Sequence, residues 1–413
     1  MDHPLHPHRE ARDQVTTGLG LPTCATGGAS PAWVRSGAAL TAMVRHLSTA
    51  PAVALDTESD GLHHFPEKVC LLQVAHPDGS VYLVDPLLLP DLAPLGELCA
   101  DSTVIKVLHG ASYDVASLKR DFCFTFRRLF DTMIAAQLLS LPDLGLNGLL
   151  VRLLGVDPAP SRQKDDWARR PLSPSQEEYA AGDVRYLIAL REELLAQVRA
   201  KARESWLEEE CLDLEAIPAA SRIFDPENYL ALKGVKELDR RGLAVLRELF
   251  TAREAWAHAS GRPPFRLLGN EAMLHVARER PVTAAGLLAI PGCTAKVVDR
   301  LGEQMLSAVR RGLAVPEEAL PVVPRRDRPR VPWAIRRRIE AVIAWRVSTA
   351  ERFGLDPGVL LPRRLIERLA EAAPTTLEGL ERIDGMRRWR VASLGPELLE
   401  VLADKSREER TSA

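Results

Sequence analysis

The stretch Val53-Ala54-Leu55-Asp56-Thr57-Glu58-Ser59-Asp60-Gly61 decides how the first half of this chain is read. Val53 to Thr57 has the composition of a β-strand, and Ser59-Asp60-Gly61 turns the chain out of it. Asp56 and Glu58 are two residues apart, so in a strand both side chains leave on one face. Two carboxylates on one face of a buried strand repel each other and resist ionisation unless a cation lies between them.

Working outward, Val69 to Ala75 and Val81 to Val84 read as two further strands joined by the turn His76-Pro77-Asp78-Gly79. So short a connection predicts an antiparallel hairpin. Val104 to Leu108 is a β-branched run leading into a helix near Asp114, and Arg128-Leu129-Phe130 reads as a short fifth strand before helices resume at Asp131. A hairpin of strands followed by helix-linked strands predicts an α/β domain with a mixed five-stranded sheet. A helix starts at Ser173-Pro174-Ser175-Gln176, with Ser173 as N-cap, Pro174 at the first helical position and Gln176 closing a capping box. It is expected to run through Tyr179 and Asp183 toward Val198. Tyr179 and Asp183 are four residues apart and share one helical face.

The chain has 413 residues, enough for two or three domains, and 46% hydrophobic residues supply a core for each. It lacks a run of about 18 apolar residues, so a transmembrane helix is not expected. Met1 to Glu10 is polar and His-rich with no apolar signal segment, which makes export unexpected. The six cysteines form no C-x-x-C pair, which argues against a zinc or disulfide framework and fits a cytoplasmic protein.

A net charge of −2 hides an asymmetry: residues 1–227 carry −11 and residues 228–413 carry +9. The basic half suits a polyanionic partner. That half also loses the strand signal, becomes helical and repeats itself. Leu268, Pro281, Leu287, Ile290 and Gly292 recur as Leu361, Pro374, Leu380, Ile383 and Gly385, each 93 residues later. Trp256 pairs with Trp345 at an offset of 89, which predicts four extra residues in the intervening loop of the second copy. The expected organisation is a disordered leader over 1–30, an α/β domain over 31–203 and a connector over 204–227. Two all-α repeats follow over 228–315 and 333–405, with a basic Pro/Arg linker over 316–332 between them and a tail over 406–413.

Besides Asp56 and Glu58, two acidic residues sit where a site could use them: Asp114 at a strand-to-helix transition and Asp183 on the capped helix. Taken alone, each reads as a cap or a surface charge. Together they are hard oxygen ligands suited to Mg²⁺ or Mn²⁺. Four such carboxylates can hold two divalent cations about 3.5–4 Å apart, an arrangement that activates water and stabilises the leaving oxygen of a phosphodiester.

Leu55-Asp56-Thr57-Glu58-Ser59 resembles the first motif of the DEDD-type 3′–5′ exonucleases. His109 to Asp114 resembles the second, and Tyr179-Ala180-Ala181-Gly182-Asp183-Val184 the third. The Tyr four residues before the last Asp marks the DEDDy subgroup. Gln163 to Ser173 resembles the stretch before the third motif in ribonuclease D, and the two C-terminal repeats are similar to HRDC domains, small helical nucleic-acid-binding modules. One exonuclease domain followed by two HRDC domains is the ribonuclease D layout, and the resemblance covers about residues 32–405.

The resemblance implies a ribonuclease H-like nuclease domain in which Asp56, Glu58, Asp114 and Asp183 hold the metals and Tyr179 orients the attacking water. With an unperturbed pKa of about 10, a tyrosine is neutral at pH 7 and suits positioning better than base work. His109 stands where many DEDD enzymes carry Asn, although ribonuclease D-like members often have His. Thr57, His109, Lys164 and Arg170 are candidate substrate contacts, set against simple packing for His109 and solvated loop charge for Lys164 and Arg170. Cys70 and Gln73 are expected in the core and on the sheet face. The activity implied is metal-dependent 3′–5′ exoribonuclease trimming of RNA 3′ ends, such as tRNA precursors, with release of 5′-monophosphates. A DNA 3′–5′ exonuclease acting on single-stranded DNA is the alternative, since the same carboxylates cut either sugar. A non-catalytic nucleic-acid-binding scaffold is the third reading, and the intact acidic set argues against it.

Overall fold

The computed structural model describes residues 30–89, 91–322 and 331–407. Residues 1–29 of the expected leader, the centre of the basic linker and the end of the tail lie outside the described residues.

Strands β1 (Ala32–Val34), β2 (Ala52–Ser59), β3 (Val69–Ala75), β4 (Val81–Val84), β5 (Ile105–Leu108) and β6 (Leu129–Asp131) form one sheet in the order β1-β4-β3-β2-β5-β6. The hairpin expected from residues 69–84 is present, with β3 antiparallel to both β2 and β4. Strands β5 and β6 run parallel to β2 and to each other, so the sheet is mixed. It has six strands rather than five. The additional strand, β1, pairs parallel with β4 at the sheet edge, and three residues are too few to show an alternation in sequence.

Helices α1 (Gly37–Leu47), α2 (Ala93–Ala100) and α3 (Ser112–Phe122) cover one face of the sheet. Helices α4 (Thr132–Leu138), α5 (Leu146–Leu149), α6 (Pro174–Arg185), α7 (Leu187–Ala200) and α8 (Glu204–Ala216) complete the domain. Alternation along β2 divides its residues between two cores. Val53 and Leu55 pack with Leu40, Met43, Leu95, Val115 and Leu118. Ala52 and Ala54 pack on the other face with Ala135, Ala181, Leu187 and Leu194. A central strand covered on both faces reads as a continuous apolar run for this reason. Asp56 and Glu58 continue the Ala52–Ala54 row, toward α6.

The helix expected to continue to Val198 breaks at Tyr186, whose N–H turns back to the Val184 carbonyl. The break lets the two pieces pack on different surfaces: α6 lies against β3 and β4, whereas α7 lies against α4 and the π-helical turn Leu150–Leu154. The start at Ser173 has the expected capping box.

The segment read as a connector contains α8, which closes the nuclease core. Cys211 joins the core beneath α7 and Leu214 the core beneath α1. Arg203, just ahead of it, is buried and donates to the carbonyls of Leu138 and Phe353.

The C-terminal half is two copies of one helical unit. Helices α9 (Arg240–Ser260), α10 (Pro264–Leu267), α11 (Asn270–Glu279), α12 (Ala284–Leu288) and α13 (Ala295–Ala314) make the first. Helices α14 (Trp333–Phe353), α15 (Pro357–Leu360), α16 (Arg363–Ala372), α17 (Leu377–Glu381) and α18 (Arg388–Arg407) make the second. Every helix, the first included, starts 93 residues after its counterpart. The expected four-residue insertion is therefore absent, and Thr349, not Trp345, stands at the position of Trp256. The equivalence extends to hydrogen bonds: Arg253 donates to the Leu268 carbonyl at 2.9 Å, and Arg346 to the Leu361 carbonyl at 3.0 Å. Each copy has its own apolar core. Both touch the nuclease domain. The first meets it where the Phe65 N–H donates to the Gly261 carbonyl, and the second where Trp389 stacks on Trp206.

Candidate active site

Four segments converge on the face of β2 that carries Asp56 and Glu58. The first is β2 itself, whose register against β3 shifts between Glu58 and Ser59 as the strand leaves the sheet. The second is the turn from β5 into α3. Gly110 takes φ +67° there, a conformation that favours glycine, and the Gly110 and Ala111 N–H groups donate to the Asp131 carboxylate at 3.0 and 2.8 Å. The same carboxylate caps α4 through the Met133 N–H at 2.7 Å, so one buried acid fixes both helix starts and places Asp114 in the first turn of α3.

The third segment is α6, which presents Tyr179 and Asp183 one helical turn apart. The fourth is the irregular stretch 162–172 ahead of it. Trp167 is fully buried there, with its ring centroid 6.1 Å from that of Tyr179, and together with Cys70, Leu71 and Leu83 it seats α6 on β3 and β4.

One carboxylate oxygen from each of Asp56, Glu58 and Asp183 lies within 4.8 Å of the others. Asp114 stands beside this trio, buried, accepting a 2.5 Å hydrogen bond from the Thr57 hydroxyl. Thr57 leaves β2 on the opposite face from Asp56 and Glu58, so it joins the second motif to the first.

Burial pushes all four acids upward, and repulsion within the set adds to it at Asp56 and Glu58. Burial, then the charges of Asp114, Asp183 and Glu58, raise Asp56 well above the carboxylate range. Burial, then Asp183, Asp114 and Asp165, bring Glu58 to about 9. Burial brings Asp183 to about 7 and Asp114 to about 6. Asp56 and Glu58 are each raised further by the charges of Asp114 and Asp183, so the donor set fits divalent cations, which remove that repulsion. The Tyr179 hydroxyl hydrogen-bonds Asp183 and is itself pushed upward by burial and by the Asp183 and Glu58 charges. It remains a neutral phenol, able to donate.

The four candidate substrate contacts divide. Thr57 is buried against Asp114 and bonds that acid. His109 is half-buried, its Nδ1 2.9 Å from the Thr132 hydroxyl; burial lowers its pKa and leaves it neutral and packed. Lys164 is exposed, and its carbonyl lies 2.8 Å from His63 Nε2, which holds the loop while leaving the ammonium in solvent. Arg170 faces inward instead. Its guanidinium grips the fully buried Asp85 carboxylate at 2.7 and 3.0 Å and donates to the Trp167 and Cys70 carbonyls. It fastens the 162–172 segment to β3 and β4 and is not placed to bind phosphate. Gln73, like Cys70, is fully buried.

Two supporting features escaped the sequence reading. Asp165 adds to the charge around Glu58, and His64 Nε2 lies 3.0 Å from the Asp166 carboxylate. The 61–68 loop, tied to the first repeat through Phe65, thus also braces the segment ahead of α6. These pairings are over a hundred residues apart, and no local signal marks them.

Residues 31–199 match the model of a 3′–5′ exonuclease domain, and residues 242–309 and 336–402 each match the HRDC domain. Ribonuclease D of Desulfotalea psychrophila is 36% identical over 272 residues, covering 65% of this chain and 72% of that protein. Ribonuclease D of Pseudomonas paraeruginosa is 31% identical over 377 residues, covering 90% and 97%. In fold, the chain is similar to Escherichia coli RNase D, an exoribonuclease involved in structured RNA processing, with a TM-score of 0.67 at 24% identity over 91% of this chain and 99% of that one. It is also similar to the catalytic core of RRP6 from Trypanosoma brucei, with a TM-score of 0.62 at 24% identity over 71% and 81%. Among the described residues, no helix is long and apolar enough to cross a membrane. With the nuclease motifs in one cluster, two HRDC units behind them and relatives aligned along nearly their whole length, the chain belongs to the ribonuclease D family.

Proposed function

We propose that this protein removes nucleotides one at a time from the 3′ ends of RNA, tRNA precursors among them, and releases nucleoside 5′-monophosphates. The observation that carries this reading is the convergence of Asp56, Glu58 and Asp183, with Asp114 beside them, next to the Tyr179 hydroxyl. Asp56, Glu58, Asp114 and Asp183 would hold two divalent cations, Mg²⁺ or Mn²⁺, which supply charge neutralisation and a more acidic water when bound. Tyr179 donates to Asp183 at rest and is the group within reach to orient the attacking water. Thr57 keeps Asp114 in place.

Water attacks the terminal phosphorus and the P–O3′ bond breaks. The phosphate leaves on the 5′ carbon of the released nucleotide, and a new 3′ hydroxyl remains for the next cycle. A 3′-phosphate would bring a dianion into a nest of carboxylates, so a free 3′ hydroxyl is preferred. The +9 charge of residues 228–413 supports a role for the two HRDC units in gripping the RNA backbone. Matched RNA and DNA oligonucleotides with 3′-hydroxyl or 3′-phosphate ends, incubated with Mg²⁺ or Mn²⁺ and with EDTA, test this reading. Stepwise shortening of 3′-hydroxyl RNA only with metal supports it; equal or faster digestion of DNA replaces it with the DNA exonuclease.

A further inference from the structure

A second cluster of metal-ligand type lies beyond the end of β3, away from the nuclease carboxylates. His46 comes from the last turn of α1, and His76 and Asp78 from the turn joining β3 to β4. One ligand atom from each of the three lies within 4.8 Å of the others. His46 Nε2 is 3.1 Å from one Asp78 carboxylate oxygen, and His76 Nδ1 is 3.0 Å from the other. The two imidazoles stack with centroids 4.1 Å apart.

We propose that His46, His76 and Asp78 form a separate site for a borderline transition-metal cation of the Zn²⁺ type. Imidazole and carboxylate donors suit such an ion, whereas the all-oxygen nuclease centre suits Mg²⁺ or Mn²⁺. Three protein ligands leave a fourth tetrahedral position for water or an external group.

Three further observations carry the site beyond proximity. The first is that each ring has an outer partner on its remaining nitrogen: Tyr82 hydroxyl lies 2.7 Å from His46 Nδ1, and Thr49 hydroxyl 3.4 Å from His76 Nε2. Partners of this kind fix ring orientation in metal sites, here with His46 Nε2 and His76 Nδ1 turned toward Asp78. The second is that the turn is built before any ion arrives. The His76 N–H donates to the Ser80 carbonyl, the Ser80 N–H donates to Asp78, and Gly79 supplies φ +93°. That Ser80 N–H, 2.8 Å from the carboxylate, holds Asp78 facing the two rings. The third is that His76 Nδ1 faces both the Asp78 N–H, at 3.2 Å, and an Asp78 carboxylate oxygen. A lone pair on Nδ1 repels the carboxylate, and a cation shared between them replaces the hydrogen bond from the N–H and removes that repulsion.

The test is Zn²⁺ binding to the full-length protein by equilibrium dialysis, with Mg²⁺ in excess to fill the carboxylate centre. It compares wild type with H46A/H76A, which leaves the nuclease acids and the His-rich N-terminus unchanged. Wild type is expected to retain one more equivalent of Zn²⁺, and Zn²⁺ is expected to raise its Tm and not that of the variant. Tyr82→Phe keeps all three ligands and serves if the double variant fails to fold; it should weaken Zn²⁺ binding about tenfold through the lost outer partner. The Mg²⁺-supported nuclease rate should be the same in all three proteins. Equal Zn²⁺ stoichiometry in wild type and H46A/H76A, or unchanged affinity in Tyr82→Phe, overturns the proposal and leaves the cluster as two histidines hydrogen-bonded to Asp78.

Discussion

Trp206 of the nuclease domain and Trp389 of the second helical repeat stack face to face, with ring centroids 4.2 Å apart and planes 17° from parallel. Around them, Glu210 accepts from the Trp389 indole and from the Arg390 guanidinium, at 3.0 and 2.7 Å. Ala350, Leu355, Leu360 and Leu394 from the second repeat enter the same core as the nuclease helices. The second repeat is therefore fixed to the nuclease through α8. Trp389→Ala should cost about 3–5 kcal/mol, as for other buried aromatic truncations, and should expose the repeat to proteolysis. Denaturant titration with limited trypsin digestion checks both.

The same packing sets where the chain can be cut. Ending it near Arg203 removes α8, and with it Leu207, Cys211 and Leu214 from two cores. Such a fragment should be aggregated or unfolded by circular dichroism. A fragment ending near Phe224 keeps α8 and should retain the far-UV signature of a folded α/β domain.

Arg170→Met should act on stability rather than on RNA affinity. It strips the partner from a fully buried Asp85 carboxylate, a change that typically costs about 3–5 kcal/mol. The fraction that remains folded should bind RNA with unchanged Kd. A weaker Kd with unchanged Tm would make Arg170 a phosphate contact after all.

How much of this was legible beforehand varied with range. The D-x-E strand, the Ser173 capping box and the 93-residue repeat all rest on local patterns, and the site acids were found through them. The Arg170–Asp85 pair spans 85 residues, and nothing near either residue marks it. The break at Tyr186 was invisible because the apolar pattern continues across it while the packing surface changes. Trp256 and Trp345 were misaligned because a tryptophan is conspicuous, whereas the helix starts that set the true offset are not. The function of α8 was missed because its apolar residues serve two cores at once and show no single strong stripe.

Removal of Tyr179's hydroxyl alone should slow chemistry by about 10²-fold, the usual cost of a lost positioning donor. The ring of Tyr179→Phe keeps its place beside Trp167, so Tm should hold. Single-turnover rates measured at saturating RNA separate this from a binding defect.

Stability of the metal-free protein should fall as pH rises. Asp183 and Asp114 bind protons more tightly folded than unfolded, with folded values near 7 and 6. Their contribution is complete below about pH 4, the unfolded carboxylate range, and is lost as pH climbs through 6 and 7. Divalent cations compensate the ionised acids, so the Tm gain from Mn²⁺ should be small at pH 5 and large at pH 8. A gain independent of pH would separate the acids from the metal.

The most direct test of the carboxylate centre is single-turnover release of 5′-monophosphates from a 3′-hydroxyl RNA, comparing wild type with Asp183→Asn in Mn²⁺ and in EDTA. A lost ligand carboxylate should remove several kcal/mol of transition-state stabilisation, about a thousandfold in rate or more, with RNA binding retained. Wild type in EDTA should be equally inactive. Undiminished release in EDTA, or by Asp183→Asn, would contradict the metal-dependent account at its centre.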